Sequence, residues 1–333
     1  MGADPQYPWT EPVVKGNRKD ISRDMIENYF LGMSKLSKLK SGCVVKAVII
    51  NGDLTAFGRE DELDTFKRLL EDAKKELNVP VFLALGNHDY ANNVNDCDNN
   101  DCSTRMVKFM VADLSRKMAL IKSKDMHVVK IMERPLAYSI GRRCSDPTFR
   151  ILFNGSLAYS FDIENIHFVQ LQNYPTYQIE WQSKLYSEDK EAFCRFKGMQ
   201  TFNIRSSLNW LENDLRDAAA QAKHIIICFH DSTEHFALDA GAQRFKRLIT
   251  EYHVAGIFVG HFHNRHGLFP QDSQRYGNVP VFASGAAIYG TFLRVMFYPR
   301  TETMSVQGYL STFSGQAWKL DIKNDTDRFR LRT

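Results

Sequence analysis

The 333-residue sequence contains no long hydrophobic run. Its strongest apolar segment lies between His224 and His230, and it is far shorter than the ~18 to 20 residues that a membrane-spanning helix requires. Glycine and proline are also scarce, at 19 and 10 residues, which excludes a collagen-like or low-complexity chain. With 44% hydrophobic and 25% charged residues, the composition is that of a globular protein that does not span a bilayer.

A strong excess of charge of either sign is missing as well. The chain has 43 basic and 39 acidic residues, and the resulting charge of +4 is spread along it without a polybasic block. Because binding to a polyanion needs a concentrated basic surface, we expect no nucleic-acid scaffold as a partner. We expect a monomer or a weak oligomer.

The amino terminus, from Met1 to Gln6, lacks the basic and apolar regions of a secretory signal. Two alternatives follow for the location of the protein. It is either cytoplasmic, or it is an exported protein whose leader has been removed.

Cysteine is sparse, with six residues, and its spacing gives no zinc-binding pattern. Cys43 and Cys228 lie inside apolar, strand-like segments, so we interpret them as unreactive core thiols. The other four could form two disulfides, Cys97 with Cys102 and Cys144 with Cys194. Such bonds would require an oxidising compartment, and reduced surface thiols are the alternative.

Helical and strand patterns alternate along the first 90 residues. Apolar residues at helical spacing predict helices over about 20–39 and 63–77, and short β-branched segments predict buried strands at 44–50 and 81–85. This alternation is typical of βαβ units with a parallel sheet, so we predict an α/β fold.

The alternation stops at about 91–150, which we interpret as an insertion with a Met-rich helix near 104–122. A β-hairpin is predicted at 157–171, followed by an aromatic loop from Asn173 to Phe202. The α/β alternation then resumes, with helices near 208–215 and 241–252 before strands at 224–229 and 254–259. No linker or internal repeat divides the chain, so we predict one domain, 1–333, with a polar tail from about 312.

Residues that commonly bind metals follow the predicted strands directly. They are Asp53 after the first strand, Asn87, His88 and Asp89 after the second, His230 after the third, and His261 and His263 after the fourth. Because the carboxyl ends of the strands form the ligand crevice of an open α/β sheet, we expect these side chains to converge. A single histidine at a strand end is usually structural, but this recurrence predicts a metal site. The histidines without such a context, which we interpret as structural, are His127, His167, His224 and His253.

The same residues resemble the motifs of the calcineurin-like metallophosphoesterase superfamily. The matching motifs, in the family order, are Gly52-Asp53, Gly86-Asn87-His88-Asp89, His230 and Gly260-His261-Phe262-His263. The family's first motif, Asp-x-His, corresponds to Asp4-Pro5-Gln6, in which Gln6 replaces the histidine. The resemblance spans nearly the whole chain and implies a four-layer α/β/β/α sandwich of two mixed sheets flanked by helices.

The resemblance also implies a dinuclear metal centre. Asp4, Gln6, Asp53 and His263 would hold one metal, and Asp53, Asn87, His230 and His261 would hold the second, with Asp53 bridging. Carboxylate, amide and imidazole ligands suit Mn, Fe or Zn. A hydroxide shared by the two metals would attack the phosphorus of a phosphate ester in line. His88 would stabilise the transition state or protonate the leaving oxygen, and Asp89 would orient the His88 ring.

Three functions fit this resemblance. The segment Gly52-Asp53-Leu54-Thr55 lacks the Asp-Arg-Gly continuation of the phosphoprotein phosphatases, and Asp89 stands where they have Glu. The sequence therefore looks more like the purple-acid-phosphatase-like and phosphodiesterase-like branch. A phosphomonoesterase is favoured. The alternatives are a phosphodiesterase acting on a nucleotide, a phospholipid or sphingomyelin, and a non-catalytic secreted binding protein with a vestigial metal site. Candidate substrate contacts are Tyr7, Tyr90, Arg265 and His266.

Overall fold

The computed structural model describes residues 1–10, 16–38, 44–120, 126–131, 136–139, 149–189, 194–233, 240–311, 320–323 and 329–331. The helices in these ranges are α1 (Arg18–Ser37), α2 (Glu60–Leu77), α3 (Asp101–Leu120), α4 (Leu208–Ala220), α5 (Ala240–Glu251) and α6 (Pro270–Arg275). The strands are β1 (Val48–Ile50), β2 (Val81–Leu83), β3 (Met126–Ile131), β4 (Leu136–Ser139), β5 (Phe149–Gly155), β6 (Tyr159–Ile163), β7 (Ile166–Gln170), β8 (Ile179–Asp189), β9 (Cys194–Ile204), β10 (His224–Cys228), β11 (Gly256–Val259), β12 (His266–Leu268), β13 (Val281–Ser284), β14 (Thr291–Tyr298), β15 (Thr303–Ser311), β16 (Leu320–Lys323) and β17 (Phe329–Arg330).

The largest sheet has seven strands in the order β12-β13-β11-β10-β7-β6-β3. Its four central strands, β13, β11, β10 and β7, run parallel, and the strands on either side of them pair antiparallel. The predicted hairpin at 157–171 is confirmed as the β6–β7 pair. The predicted strands at 224–229 and 254–259 are confirmed as β10 and β11.

A second sheet is assembled around the first residues of the chain. Strands β1 and β2 pair in parallel, with α2 as their connection, as the βαβ pattern predicts. The backbone of Gly2 donates to Ile49 O at 2.8 Å, and Met1 N donates to Leu293 O at 2.8 Å. The first residues therefore join β1 to β14, which continues through β15 to β16 and β17.

Strand β10 shows how the layers are packed. Ile225 and Ile227 on one face belong to a buried cluster that includes side chains of α4 and α5. Ile226 and Cys228 on the other face belong to a cluster with side chains of β1, β2, α1 and α2. Because successive side chains of a strand point to opposite faces, these clusters place helices outside two stacked sheets. The predicted four-layer arrangement is confirmed, and Cys228 is a buried free thiol as expected.

A third, four-stranded sheet has the order β4-β5-β9-β8 and was not predicted. Strands β8 and β9 form a long antiparallel hairpin, so the aromatic loop predicted up to Phe202 is wrong from residue 179 onward. The buried face of β8 includes Trp181 and Ser183, and the exposed face includes Gln182 and Lys184. A polar serine at an inward position conceals the alternation that predicts a strand.

Cys97 and Cys102 form a disulfide at the start of α3, which confirms this predicted pair. Cys43 and Cys144 lie outside the described residues, as does much of the predicted polar tail. Within the predicted insertion, β3 extends the seven-stranded sheet. None of the described helices combines the length and the apolar character needed to cross a membrane.

Candidate metal centre

The candidate site lies where the carboxyl ends of strands from both main sheets meet. Asp53 follows β1 and Asn87 follows β2 in one sheet, whereas His230 follows β10 and His261 follows β11 in the other. Asp4 follows the amino-terminal residues that pair with β1, and its Oδ2 accepts a hydrogen bond from His261 N at 3.1 Å. The structure thus brings together side chains that are far apart in the sequence.

Three of these side chains form one group of possible metal ligands. Asp53, His230 and His261 each offer one ligand atom, and these atoms lie within 4.8 Å of one another. Asn87 joins them, because its Oδ1 is 2.9 Å from His230 Nε2 and 3.2 Å from His261 Nδ1. His230 Nδ1 lies 2.8 Å from Asn51 O and donates to it, so Nε2 is the ring atom left to bind a metal.

A second group shares one member with the first. Asp4, Asp53 and His263 each offer a ligand atom, again within 4.8 Å of one another. His263 Nε2 is 3.7 Å from Asp4 Oδ1. Since Asp53 belongs to both groups, its carboxylate is placed between two adjacent positions that could hold metal ions.

Gln6 lies beside this second group. Its backbone N–H donates to Asp53 O at 2.8 Å, and its side chain is only 2% exposed. Neither the amide oxygen nor the amide nitrogen of Gln6 has a hydrogen-bond partner among the described residues. A buried unpaired amide costs about 1 to 3 kcal/mol. Together with a donor set of carboxylate, amide and imidazole, this orphaned amide fits a site built for a metal ion.

The electrostatics of the site favour a cation. Burial raises the pKa of Asp4 well above its usual range, because the charged form is poorly solvated there. Burial alone would lower the pKa of His230, but the negative charges of Asp53 and Asp4 raise it to about 10. Burial acts to raise the pKa of Asp53, but the adjacent His230 lowers it. Two buried carboxylates therefore draw positive charge into this crevice.

Several of the possible ligands have an unusual backbone conformation. The φ angles are 50° at Asp4, 44° at Gln6, 49° at Asp53 and 67° at His261, all in the left-handed region that most residues avoid. Such strain persists only where the surrounding structure imposes it, and it clusters at functional sites. Gly86 permits the close approach of two of the loops, because a Cβ there would lie 2.2 Å from Asp53 Oδ1.

His88 is half-buried at the edge of the group. Its backbone N–H donates to Asp53 Oδ1 at 2.9 Å, and its Nδ1 donates to Ala56 O at 3.0 Å. Asn93 Nδ2 donates to His88 O at 2.6 Å. With Nδ1 engaged by a carbonyl, Nε2 is the ring atom that can exchange a proton with a substrate.

Asp89 does not orient His88, which corrects the expectation from the sequence. Its two oxygens accept hydrogen bonds from the backbone N–H groups of Leu54, Thr55 and Gly86 and from the Thr55 hydroxyl, at 2.9 to 3.0 Å. Burial, and then the charge of Asp53, raise the pKa of Asp89 to about 7. The residue instead ties the loop after β1 to the loop after β2.

The four candidate substrate contacts occupy different environments. Tyr90 is fully buried in the hydrophobic core, and Tyr7 is also a core residue. Neither ring is therefore open to a substrate, because both are buried in the core. Arg265 is exposed and lies over the rings of Phe262 and Phe269. His266 is half-buried and begins β12, where it pairs with Ser284.

The supporting contacts were not identified from the sequence. Asn51 and Ala56 act through backbone carbonyls, which any residue carries, so no sequence signal marks them. Asn93 lies in a segment rich in asparagine and aspartate, where one residue does not stand out. These partners become visible only when the loops are seen together.

The chain matches a known protein family over a long segment that extends well beyond the residues of the site. The sequence model named Calcineurin-like phosphoesterase matches residues 28–265. The chain belongs to this family. Calcineurin-like phosphoesterases are metal-dependent phosphoric ester hydrolases, and the two Asp/His groups that could bind metal agree with that activity. The match covers the loops after β1, β2, β10 and β11, and it does not include Asp4 or Gln6. A search of curated proteins found no match.

Proposed function

We propose that this calcineurin-like phosphoesterase is a dinuclear phosphomonoesterase. The observation that carries the proposal is that Asp53 belongs to two groups of possible ligand atoms. Within each group, the atoms lie within 4.8 Å of one another. The ligands of one metal would be Asp4, Gln6, Asp53 and His263, and those of the other Asp53, Asn87, His230 and His261. When bound, two such cations polarise a phosphoryl group and supply an acidified water.

The residues of the chain itself hold and orient this centre. Asn51 fixes the tautomer of His230 through its carbonyl, so that Nε2 faces Asn87 and Asp53. Asp53 Oδ1 accepts from His88 N, which leaves its Oδ2 on the side of His230. Because the carboxylates and His230 are almost fully buried, bulk water does not compete for these positions.

His88 would act on the leaving group. Its ring is fixed by the Ala56 carbonyl on Nδ1, which leaves Nε2 to donate a proton to the departing oxygen or to stabilise charge in the transition state. His88 is attached to the metal centre through its backbone bond to Asp53. This link supports the proposed role of His88 as an acid beside the phosphoryl group.

A terminal phosphoryl group is favoured over an internal diester. Both carboxylates and His230 are buried, and the half-buried rings of Trp9 and Phe57 lie close to His88. Such surroundings admit a terminal phosphate more easily than a phosphorus with two large substituents. A phosphodiesterase of the purple-acid-phosphatase-like branch is the alternative.

Model esters separate the two activities. With Mn added, we expect a higher kcat/KM for p-nitrophenyl phosphate than for bis-p-nitrophenyl phosphate. A preference for the diester would assign the phosphodiesterase instead. Repeating the assay after chelation and reloading with Mn, Fe or Zn separately identifies the metals that support turnover, since all three suit this donor set.

We further propose that the protein works in an oxidising compartment. The Cys97–Cys102 disulfide supports this, because disulfides persist mainly in exported proteins and oxidising compartments. Alkylation followed by mass measurement on protein from its native source is the test. Both thiols reacting without prior reduction would contradict the proposal.

A further inference from the structure

The residues around His88 bear on which leaving group the site accepts. This inference rests on the proposed function, in which His88 faces the departing oxygen. Trp9 lies on one side of the His88 ring, with ring centroids 5.4 Å apart and planes at 60°. Phe57 lies at 6.3 Å with planes at 74°. Both aromatic residues are half-buried, so part of each remains accessible beside His88.

The guanidinium group of an arginine lies over each of these two rings. The guanidinium of Arg18 lies 5.3 Å from the centre of the Trp9 ring, and that of Arg59 lies 5.1 Å from the centre of the Phe57 ring. The arginines come from different places, since Arg18 begins α1 and Arg59 precedes α2. The same pairing of an arginine with an aromatic ring therefore occurs twice beside His88.

These arginines retain their capacity to bind an anion. Both are exposed, and within the described ranges no carboxylate lies within ion-pair distance of either guanidinium. Two nearby acids have other cationic neighbours, because Asp61 pairs with Lys19 at 2.6 Å and Glu60 lies 3.9 Å from Arg105. Glu62 does interact with the charge of Arg59, but its Oε2 already accepts hydrogen bonds from two backbone N–H groups. Stacking on an aromatic ring holds a guanidinium in a defined plane while its N–H groups stay available to phosphate.

We infer that Arg18 and Arg59 bind a negatively charged group on the leaving side of the substrate. The substrate would then be a terminal phosphoryl group attached to a second phosphate, as in a nucleoside or sugar diphosphate. A neutral alcohol as leaving group gives the two guanidinium groups no partner, and a cationic one is repelled. A planar guanidinium fork matches phosphate oxygens well.

Two substrates that differ in this one feature test the inference. Phosphate release from ADP leaves AMP, which is charged, whereas release from AMP leaves adenosine, which is neutral. We expect R18Q and R59Q each to lower kcat/KM for ADP by ~10-fold, which corresponds to the loss of about one charge-assisted hydrogen bond, and to change kcat/KM for AMP by less than about twofold. R23Q is the matched control, because Arg23 is an exposed α1 arginine near Asp20 and Asp24.

A binding measurement separates this inference from the proposed function. The non-hydrolysable α,β-methylene analogue of ADP should bind ~10-fold more weakly to R18Q and R59Q, while the affinity for inorganic phosphate stays unchanged. If the wild-type protein hydrolyses phosphate esters but both variants treat ADP and AMP as the wild type does, the inference is overturned. If no ester is hydrolysed and the analogue still depends on both arginines, the proposed function fails and the anion site stands.

Discussion

Two buried histidines in this protein each lie between carboxylates, yet they belong to different kinds of site. His167 Nδ1 is 2.7 Å from Asp162 Oδ1, and its Nε2 is 3.0 Å from Asp214 Oδ2. His230 is equally buried, and its Nε2 lies 3.2 Å from Asp53 Oδ2. A buried histidine beside acids is therefore not by itself the mark of a metal centre.

The difference lies in what surrounds the carboxylates. In the cluster of His167, Lys223 pairs with the second oxygen of Asp162, and Ser160 donates to Asp214 at 2.9 Å. Protein donors thus satisfy that cluster. Around His230 Nε2, the neighbours Asp53 and Asn87 offer oxygen acceptors, so a cation completes the second site and is superfluous in the first.

The largest effect is expected for Asp53→Asn. This change keeps the shape of the side chain but removes the charge that both groups of ligands share, so two cations would repel each other at short range. We expect turnover to be lost and the bound metal per chain to fall. Metal analysis together with p-nitrophenyl phosphate hydrolysis measures both quantities.

A matched variant exists in the other cluster. Asp214→Asn removes a carboxylate beside His167, far from the candidate ligands in the sequence, and should leave the metal content at the wild-type level. Full activity in Asp53→Asn, or an equal loss of metal in both variants, would refute the distinction between the two clusters.

His88→Ala should produce the next largest effect. Removing an acid or base that acts on the leaving group typically costs ~10²- to 10⁴-fold in rate. Because His88 approaches Asp53 through its backbone N–H, which alanine retains, the metal content should not change. Rates and metal analysis on the same preparation check this. If the metal is lost with the rate, His88 is a structural support of the centre and not a group acting on the substrate.

The sequence predicted which strand-end residues lie close together better than it predicted the edges of the fold. Asp53, Asn87, His230 and His261 follow strands whose apolar patterns are plain. Parallel strands end at a common edge of each sheet, and here those edges of the two sheets meet. The role of Asp89 was misread, because hydrogen bonds to backbone N–H groups leave no pattern in the sequence. Strands β8 and β9 were missed for a related reason, since polar residues such as Ser183 occupy their buried face.

Gln6 should have a smaller effect that is confined to one metal. The amide oxygen is neutral and a weaker donor than imidazole, so the metal at Asp4, Gln6 and His263 should be lost first on chelation. We expect Gln6→Ala to raise the Mn concentration for half-maximal activity by ~10-fold. Loss of a residue that only supports a metal ligand already weakens metal binding by ~10- to 100-fold, and we take the lower value. Gln6→His should instead lower it. Unchanged Mn dependence in Gln6→Ala would remove Gln6 from the ligand set.

The smallest effect on the metal centre is expected for His167→Asn. Burial alone would lower the pKa of His167, but hydrogen bonds to Asp162 and Asp214 raise it. Its stabilising contribution is therefore complete below the unfolded pKa of about 6.5 and is lost as the pH rises through the folded pKa. The variant should lower the free energy of unfolding at pH 6 by about 3 kcal/mol, the lower end for a broken buried pair, because Lys223 and Ser160 still contact the two carboxylates.

Urea unfolding at pH 6 and pH 9 measures this difference, and His253→Asn at an exposed turn is the control. The loss should be smaller at pH 9 than at pH 6. A loss that does not depend on pH would mean that His167 is neutral in the folded protein. Metal content and activity should remain within about twofold of the wild type in the folded variant, because the satisfied cluster takes no part in metal binding.

Anomalous diffraction from crystals of the Mn-loaded protein tests the central claim most directly. We predict two peaks on either side of the Asp53 carboxylate, ~3.5 to 4 Å apart, one within bonding distance of Asn87, His230 and His261 and the other of Asp4, Gln6 and His263. No peak should occur at His167. A single peak that leaves either group empty, or a peak between His167 and its carboxylates, would contradict the account.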